Sequence, residues 1–289
     1  MDESGRALAV LSIQSGVVYG HVGNNAASLP LQRLGIEVWP LNTVQFSNHT
    51  GYGAWRGHVH TLDQIRALID GIVARGVLAT CRGLLSGYLG DVALGETVLE
   101  AARQMRAHAP DLLYACDPVI GDADRGVFVR PDIPAFFRDH AMAAADLITP
   151  NAFELAFLSG RAITSIDDAG AAADALRARG PARVAVTSLE LDDDPGALHV
   201  LLIAPSGAFA VRTPKIDIAL NGTGDTFTAL LLGCLLRGAG DADALTHAVN
   251  AMFTLVETTA RLGRRELAQV DAQDAFAAPP LRFAAVRIA

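Results

Sequence analysis

Lysine is almost missing from this chain. Of 23 basic residues in 289, only Lys215 is a lysine, and the rest are arginine. That scarcity excludes a phosphate-binding loop of the G-x-x-x-x-G-K-[ST] type, because no glycines stand at that spacing before Lys215. It also argues against an enzyme that anchors a cofactor as a Schiff base, for which Lys215, in TPKID, is the sole candidate. Cysteine is scarce too. Cys81, Cys116 and Cys234 are widely separated, lie in or beside apolar runs and show no metal spacing. An odd number of such thiols predicts a reducing compartment, the cytoplasm. Long apolar runs are lacking: the stretch 227–236 falls far short of the roughly 20 residues a membrane span needs. The opening MDESGRALAV carries acids where a signal peptide wants positive charge. Nor is there a surplus of basic charge. With 31 acidic residues and a net charge of −8, the chain lacks the basic face that nucleic acid requires.

What is present is apolar material, 51% of residues against 19% charged, enough for a single α/β domain over residues 1–289. Short apolar runs predict strands at 7–13, 37–42, 84–86, 112–116, 147–148, 183–187, 198–204 and 208–212. Helical patterns fill 25–34, 62–75, 92–109, 133–140, 152–158, 167–179, 224–237 and 241–262. Alternation of the two requires crossover helices and therefore parallel strands. The pair at 198–212, split by Pro205-Ser206-Gly207, reads instead as an antiparallel hairpin. The expectation is a mostly parallel sheet with an antiparallel edge. Residues 43–57, TVQFSNHTGYGAWRG, show no helical period and read as an ordered functional loop. Asp192–Asp194 reads as a solvated turn, and His49, His58 and His60 as structural or solvated.

One segment carries chemistry. Asn221-Gly222-Thr223-Gly224-Asp225 precedes a strongly apolar helix. Two glycines one residue apart let the backbone turn its N–H groups towards one point, and the helix adds unpaired amides and its positive dipole end. Gly222, Thr223 and Gly224 thus form a candidate anion hole for a phosphoryl group, made without lysine. Asp225 beside it suits a general base that takes the proton of an attacking hydroxyl. The plainer alternative is a turn with a helix cap.

NGTGD followed by TFTALLLG resembles the GTGD signature of the ribokinase-like superfamily. The segments SIQSGVVYGHVGNNAASLPLQRLG, WPLNTVQFSNHTGYGAW, LLSGYLGD, CDPVIGD and ITPNAFELAFLSGR resemble the pyridoxal kinases, and the likeness extends to ELAQVDAQDAF. The resemblance implies a three-layer α/β/α fold, a homodimer, and ATP-dependent phosphorylation of the 5′-hydroxymethyl group of pyridoxal. It implies that Asp225 is the base and that Gly222, Thr223 and Gly224 hold the phosphoryl group. Asp117, Thr149 and Glu154 would organise Mg²⁺, a monovalent cation such as K⁺, and the ATP phosphates, with Asp117 and Glu154 serving the metal. Asp122, Thr187 and Ser188 would contact ATP, while Ser15, Val22, Val44, Phe46, Thr50 and Tyr88 would line the pyridine pocket. Gly16 departs from the pattern by standing where these kinases usually carry histidine, which predicts a more open rim. Thr187 stands where some bacterial members have lysine. Alternatives are a hydroxymethylpyrimidine kinase of the same superfamily and a non-catalytic vitamin B6-binding protein on this fold.

Overall fold

A computed structural model of the protein describes residues 8–288. Its strands are β1 (Ala9–Tyr19), β2 (Glu37–Asn48), β3 (Gly57–Val59), β4 (Cys81–Ser86), β5 (Leu113–Cys116), β6 (Gly121–Asp122), β7 (Gly126–Val127), β8 (Leu147–Ile148), β9 (Arg183–Leu189), β10 (Ala197–Ala204), β11 (Gly207–Pro214) and β12 (Val286–Arg287). The helices are α1 (Asn24–Arg33), α2 (Leu62–Ala74), α3 (Val92–His108), α4 (Ile133–Phe136), α5 (Met142–Ala144), α6 (Ala152–Ser159), α7 (Ile166–Arg177), α8 (Thr223–Leu236), α9 (Asp241–Arg261) and α10 (Gln273–Ala277). Ala7, expected to open the first strand, lies outside the described residues.

Ten strands form one sheet in the order β12-β11-β10-β9-β8-β5-β4-β1-β2-β3. From β2 to β9 every neighbouring pair is parallel. The β9–β10, β10–β11 and β11–β12 pairs are antiparallel, as is β2–β3 at the opposite edge. The expected antiparallel edge is therefore present, and β3 adds a second at the opposite side. This second edge arises in residues 43–57. Val44 and Phe46 alternate with Gln45 and Ser47, a period-two pattern, and β2 continues through them to Asn48. A tight turn at Thr50–Tyr52 then leads into β3, where Val59 and Gly57 pair with Val44 and Phe46.

Two apolar layers sandwich this sheet. Val10 and Leu11 point to opposite faces and are 0% and 1% exposed, so the central strand must be covered on both sides. On one face Leu31, Leu230 and Leu245 bring in α1, α8 and α9. On the other Ile65, Val98, Leu155 and Leu176 bring in α2, α3, α6 and α7. Each such side chain contributes roughly 1.5–3 kcal/mol by leaving water. Four of the helices are capped by their own sequence: Thr61 with Gln64, Asp91, Asn151 with Glu154, and Ser165. The expected helix at 133–140 is instead α4, a wider π-type turn over Phe137–Ala141, and α5.

Candidate active site

The open ends of the parallel strands converge where α8 begins. Gly222 adopts φ 84°, and no side chain caps this helix. The first helical hydrogen bond runs from Thr226 N–H to the Gly222 carbonyl at 3.0 Å, which leaves the amides of Thr223, Gly224 and Asp225 as the free first turn. Only glycine fits at 222, since a Cβ would sit 1.8 Å from the His21 carbonyl oxygen. This turn is thus pressed against the loop between β1 and α1.

Asp225 is held from that same loop: its Oδ2 accepts the Gly23 N–H at 2.9 Å. Burial raises the pKa of Asp225, and the Gly23 amide opposes the rise. Asp117, 6% exposed at the end of β5, lies under Gly224, whose Cβ would be 3.1 Å from Asp117 Oδ2. Burial pushes the Asp117 pKa well up, and the charges of Glu154 and Asp225 add to this, against a hydrogen bond from Thr149. Thr149 is in turn 2.7 Å from the Thr228 hydroxyl of α8. Glu154 is buried within its capping box. Its Oε1 accepts from Ile120 at 2.8 Å and from Gly121 at 3.3 Å, and its Oε2 from Asn151 at 2.9 Å. Burial nevertheless pushes its pKa up to about 7. Glu154 therefore also ties the 117–122 loop to α6.

Neither Asp117 nor Asp225 has a cationic partner among the described residues. Such uncompensated negative charge fits a divalent cation. No group of three or more His, Cys, Asp or Glu among the described residues makes a ready cage. Mg²⁺ suits such a place, being held by one or two carboxylates while phosphates and water complete its shell.

The other expected nucleotide residues lie in the β6–β7 hairpin and near the end of β9. Asp122, in the small β6–β7 hairpin, accepts from the Arg125 amide at 2.8 Å and the Arg125 Nε at 2.7 Å. Thr187 bridges to Asn151 at the end of β9. Ser188 has φ 54°, the one positive value outside glycine among the described residues. It sits where the β9–β10 register slips. A left-handed serine is uncommon and worth reading as functional. Beyond it, Glu190, Asp192, Gly196, Lys215 and Asp217 line a cavity of about 540 Å³. The lysine is paired with Glu190 at 2.6 Å.

Of the residues expected to line the pyridine pocket, Ser15 lies on β1, Val22 between β1 and α1, Val44 and Phe46 on β2, Thr50 in the turn after it, and Tyr88 after β4. Ser15 stands at a β1 bulge against Gly23, while Val22 and Val44 are buried. Phe46 packs on Trp55 with ring centroids 4.1 Å apart. Thr50 is exposed at the start of the turn, and Tyr88 is 37% exposed beside β4. The rim at Gly16 is not open. A Cβ there would lie 2.4 Å from Asn42, whose amide fills the space and is held by Asn24 at 2.8 Å and Gln45 at 2.9 Å.

Sequence reasoning passed over four neighbours of the site. Gln14 is buried inside β1, with only its polarity within an apolar run to mark it. Tyr52 donates to Glu266 Oε1 at 2.5 Å, while Glu266 Oε2 accepts the His21 amide at 2.9 Å. Arg265 lies 3.9 Å over the Tyr52 ring. This clasp fastens the loop after β2 to a segment far along the chain. The Tyr52 pKa rises to about 12 because its hydroxyl bonds that carboxylate, with burial adding to the shift.

Over nearly its whole length the chain is similar to a pyridoxal kinase of Rubrobacter xylanophilus, 49% identical over 287 residues that make up 99% of each chain. The chain belongs to the pyridoxal kinase family. A family member from Deinococcus radiodurans is likewise 49% identical, over 286 residues and 96% of each chain. Among solved structures, pyridoxal kinase from Leishmania donovani in complex with ADP and ginkgotoxin superposes with a TM-score of 0.91. Identity there is 30%, over 97% of this chain and 99% of that one. The expected ribokinase-like α/β/α architecture holds, with the second antiparallel edge added. Residues 64–269 also match the family described as phosphomethylpyrimidine kinase. That match leaves out Ser15, Val22, Val44, Phe46 and Thr50, through which the pyridoxal kinase likeness runs.

Proposed function

We propose that the protein transfers the γ-phosphoryl group of ATP to the 5′-hydroxymethyl group of pyridoxal, giving ADP and pyridoxal 5′-phosphate. The observation that carries the reading is the junction of two parts. The free amides of Thr223, Gly224 and Asp225 start α8 beside the Asp225 carboxylate, and Ser15, Val44 and Phe46, assigned to the ring, stand on β1 and β2. Asp225 Oδ1 takes the hydroxyl proton as the oxygen attacks the γ-phosphorus, and the bond to the β-phosphate oxygen breaks. The amides of Thr223, Gly224 and Asp225 hold charge on the phosphoryl oxygens in flight. Gly23 N–H keeps Asp225 aimed. Asp117, supported by Glu154 and Thr149, would hold Mg²⁺, which would offset phosphate charge. Asp122, Thr187 and Ser188 contact the nucleotide. Val22, Val44, Phe46 and Tyr88 wall the flat ring, and Ser15 and Thr50 reach its polar substituents.

The reading extends to one kinase domain over residues 1–289 and to a reducing cytoplasm, supported by three buried unpaired thiols, Cys81, Cys116 and Cys234. It includes a homodimer, supported by exposed Val18, Tyr19 and Val59 near the β3 edge; light scattering gives the mass that tests it. A K⁺ requirement rests on the family resemblance and is tested by exchanging K⁺ for a large organic cation. Activity is tested by incubating the purified protein with ATP, Mg²⁺ and each B6 vitamer and following the phosphorylated product. The match of residues 64–269 favours a second acceptor, hydroxymethylpyrimidine. Direct competition scored by kcat/KM decides between them: a win for the pyrimidine leaves the kinase standing and removes pyridoxal as its substrate.

A further inference from the structure

Gln14 is 1% exposed, yet its Oε1 has no hydrogen-bond partner. Leaving a buried amide oxygen unpaired costs about 1–3 kcal/mol. Its Nε2 donates to Ser12 Oγ at 3.0 Å. The free end of the amide faces a defined point above Gly87, the residue that follows β4. A Cβ placed on Gly87 would lie 2.5 Å from Gln14 Oε1 and 3.4 Å from Asp225 Oδ1. Asp225 uses its other oxygen, Oδ2, on Gly23. A free amide end and a free carboxylate oxygen therefore border one small space, kept clear by a glycine.

A hydroxyl fits that space chemically. It has one proton to give and two lone pairs to place. The serine hydroxyl at position 12 both donates and accepts, so the Gln14 amide can turn over and present N–H to the space while keeping its bond to Ser12. We propose that Gln14 directly binds the acceptor hydroxyl. The hydroxyl donates to Asp225 Oδ1 and accepts the Gln14 N–H in one lone pair, which leaves the other directed at phosphorus. Gln14 thus orients the nucleophile and leaves the removal of its proton to Asp225. Its backbone is steadied for this, since Asn24 Nδ2 bonds the Leu41 carbonyl at 3.1 Å and reaches the Gln14 carbonyl at 3.5 Å.

This inference rests on the pyridoxal kinase reading, and the experiment separates the two. Binding of pyridoxal and of 5-deoxypyridoxal, which has a methyl in place of the hydroxymethyl, is measured by calorimetry on wild type, Gln14→Leu and Gln14→Met. Turnover of pyridoxal is followed in parallel. Losing one hydrogen bond to the hydroxyl should weaken pyridoxal binding by about 3–10-fold in both variants. The affinity for 5-deoxypyridoxal should stay within about twofold, and kcat should fall more than ATP affinity does. Two variants guard against misfolding, since methionine adapts to gaps that leucine leaves. Equal losses for both ligands, or no loss for either, in the background of a wild type that phosphorylates pyridoxal would overturn the contact alone. A wild type that phosphorylates no B6 vitamer would overturn the function and the contact together.

Discussion

The two ends of the proposed site are built from different materials. The phosphate end is mostly backbone: three amides at the start of α8, a glycine pressed on the His21 carbonyl, and carboxylates buried beneath them. The ring end is mostly side chain, with Phe46 on Trp55, Val22, Val44 and a tyrosine clasped to Glu266. In this reading the backbone amides serve the phosphoryl group and the side-chain walls select the acceptor. The family matches divide the same way. Residues 64–269, shared with phosphomethylpyrimidine kinases, hold the phosphate end and only Tyr88 of the expected ring wall.

The sharpest break should come at Asp225. Asp225→Asn keeps the Gly23 contact but cannot accept a proton, so kcat should fall by about 10²–10⁴-fold. Nucleotide affinity, measured by titration calorimetry, should hold. Retention of a third of wild-type activity would remove Asp225 from its role. Because burial raises its pKa, the acid limb of kcat/KM should lie above the usual aspartate range of about 3.9. The base acts when ionised, so activity should be present above that raised pKa and vanish as pH falls through it. The ring end should respond differently. Phe46→Ala removes a wall worth roughly 1.5–3 kcal/mol. That raises the KM for pyridoxal by about 10–100-fold at unchanged KM for ATP. A matching rise for ATP would mean that the two ends are not separable. Tyr52→Phe loosens the clasp, and at a partly exposed site the KM for pyridoxal should rise by about tenfold at most. Lys215→Met should be mildest, since an exposed pair such as Lys215–Glu190 contributes about 0–1 kcal/mol. Complete loss of phosphorylation there would show that the anion hole needs a lysine after all.

Which features were legible depended on how local their cause was. The inner strands were readable because burial on both faces makes them apolar throughout, as in Ala9–Ile13 of β1. The GTGD turn was readable because a few adjacent residues contain the whole geometry. β3 was not, because it pairs through a turn that the polar, aromatic 43–57 segment disguised. The rim at Gly16 misled for a related reason: what fills the space is Asn42 on the neighbouring strand, and only the register of β1 on β2 brings it there. Gln14 stayed hidden because a polar residue in a buried strand becomes meaningful only when Gly87 and Asp225, from two other elements, are placed against it.

The Tyr52–Glu266 contact spans 214 positions of sequence. Translation at about 5–20 residues per second separates the appearance of those two residues by roughly 10–40 s. For that interval the turn after β2 has been made but lacks its partner Glu266, and α1 still lacks α8 to cover it. A nascent chain on the ribosome thus carries its acceptor loop unlatched. The Tyr52–Glu266 bond can form only after position 266 has left the exit tunnel.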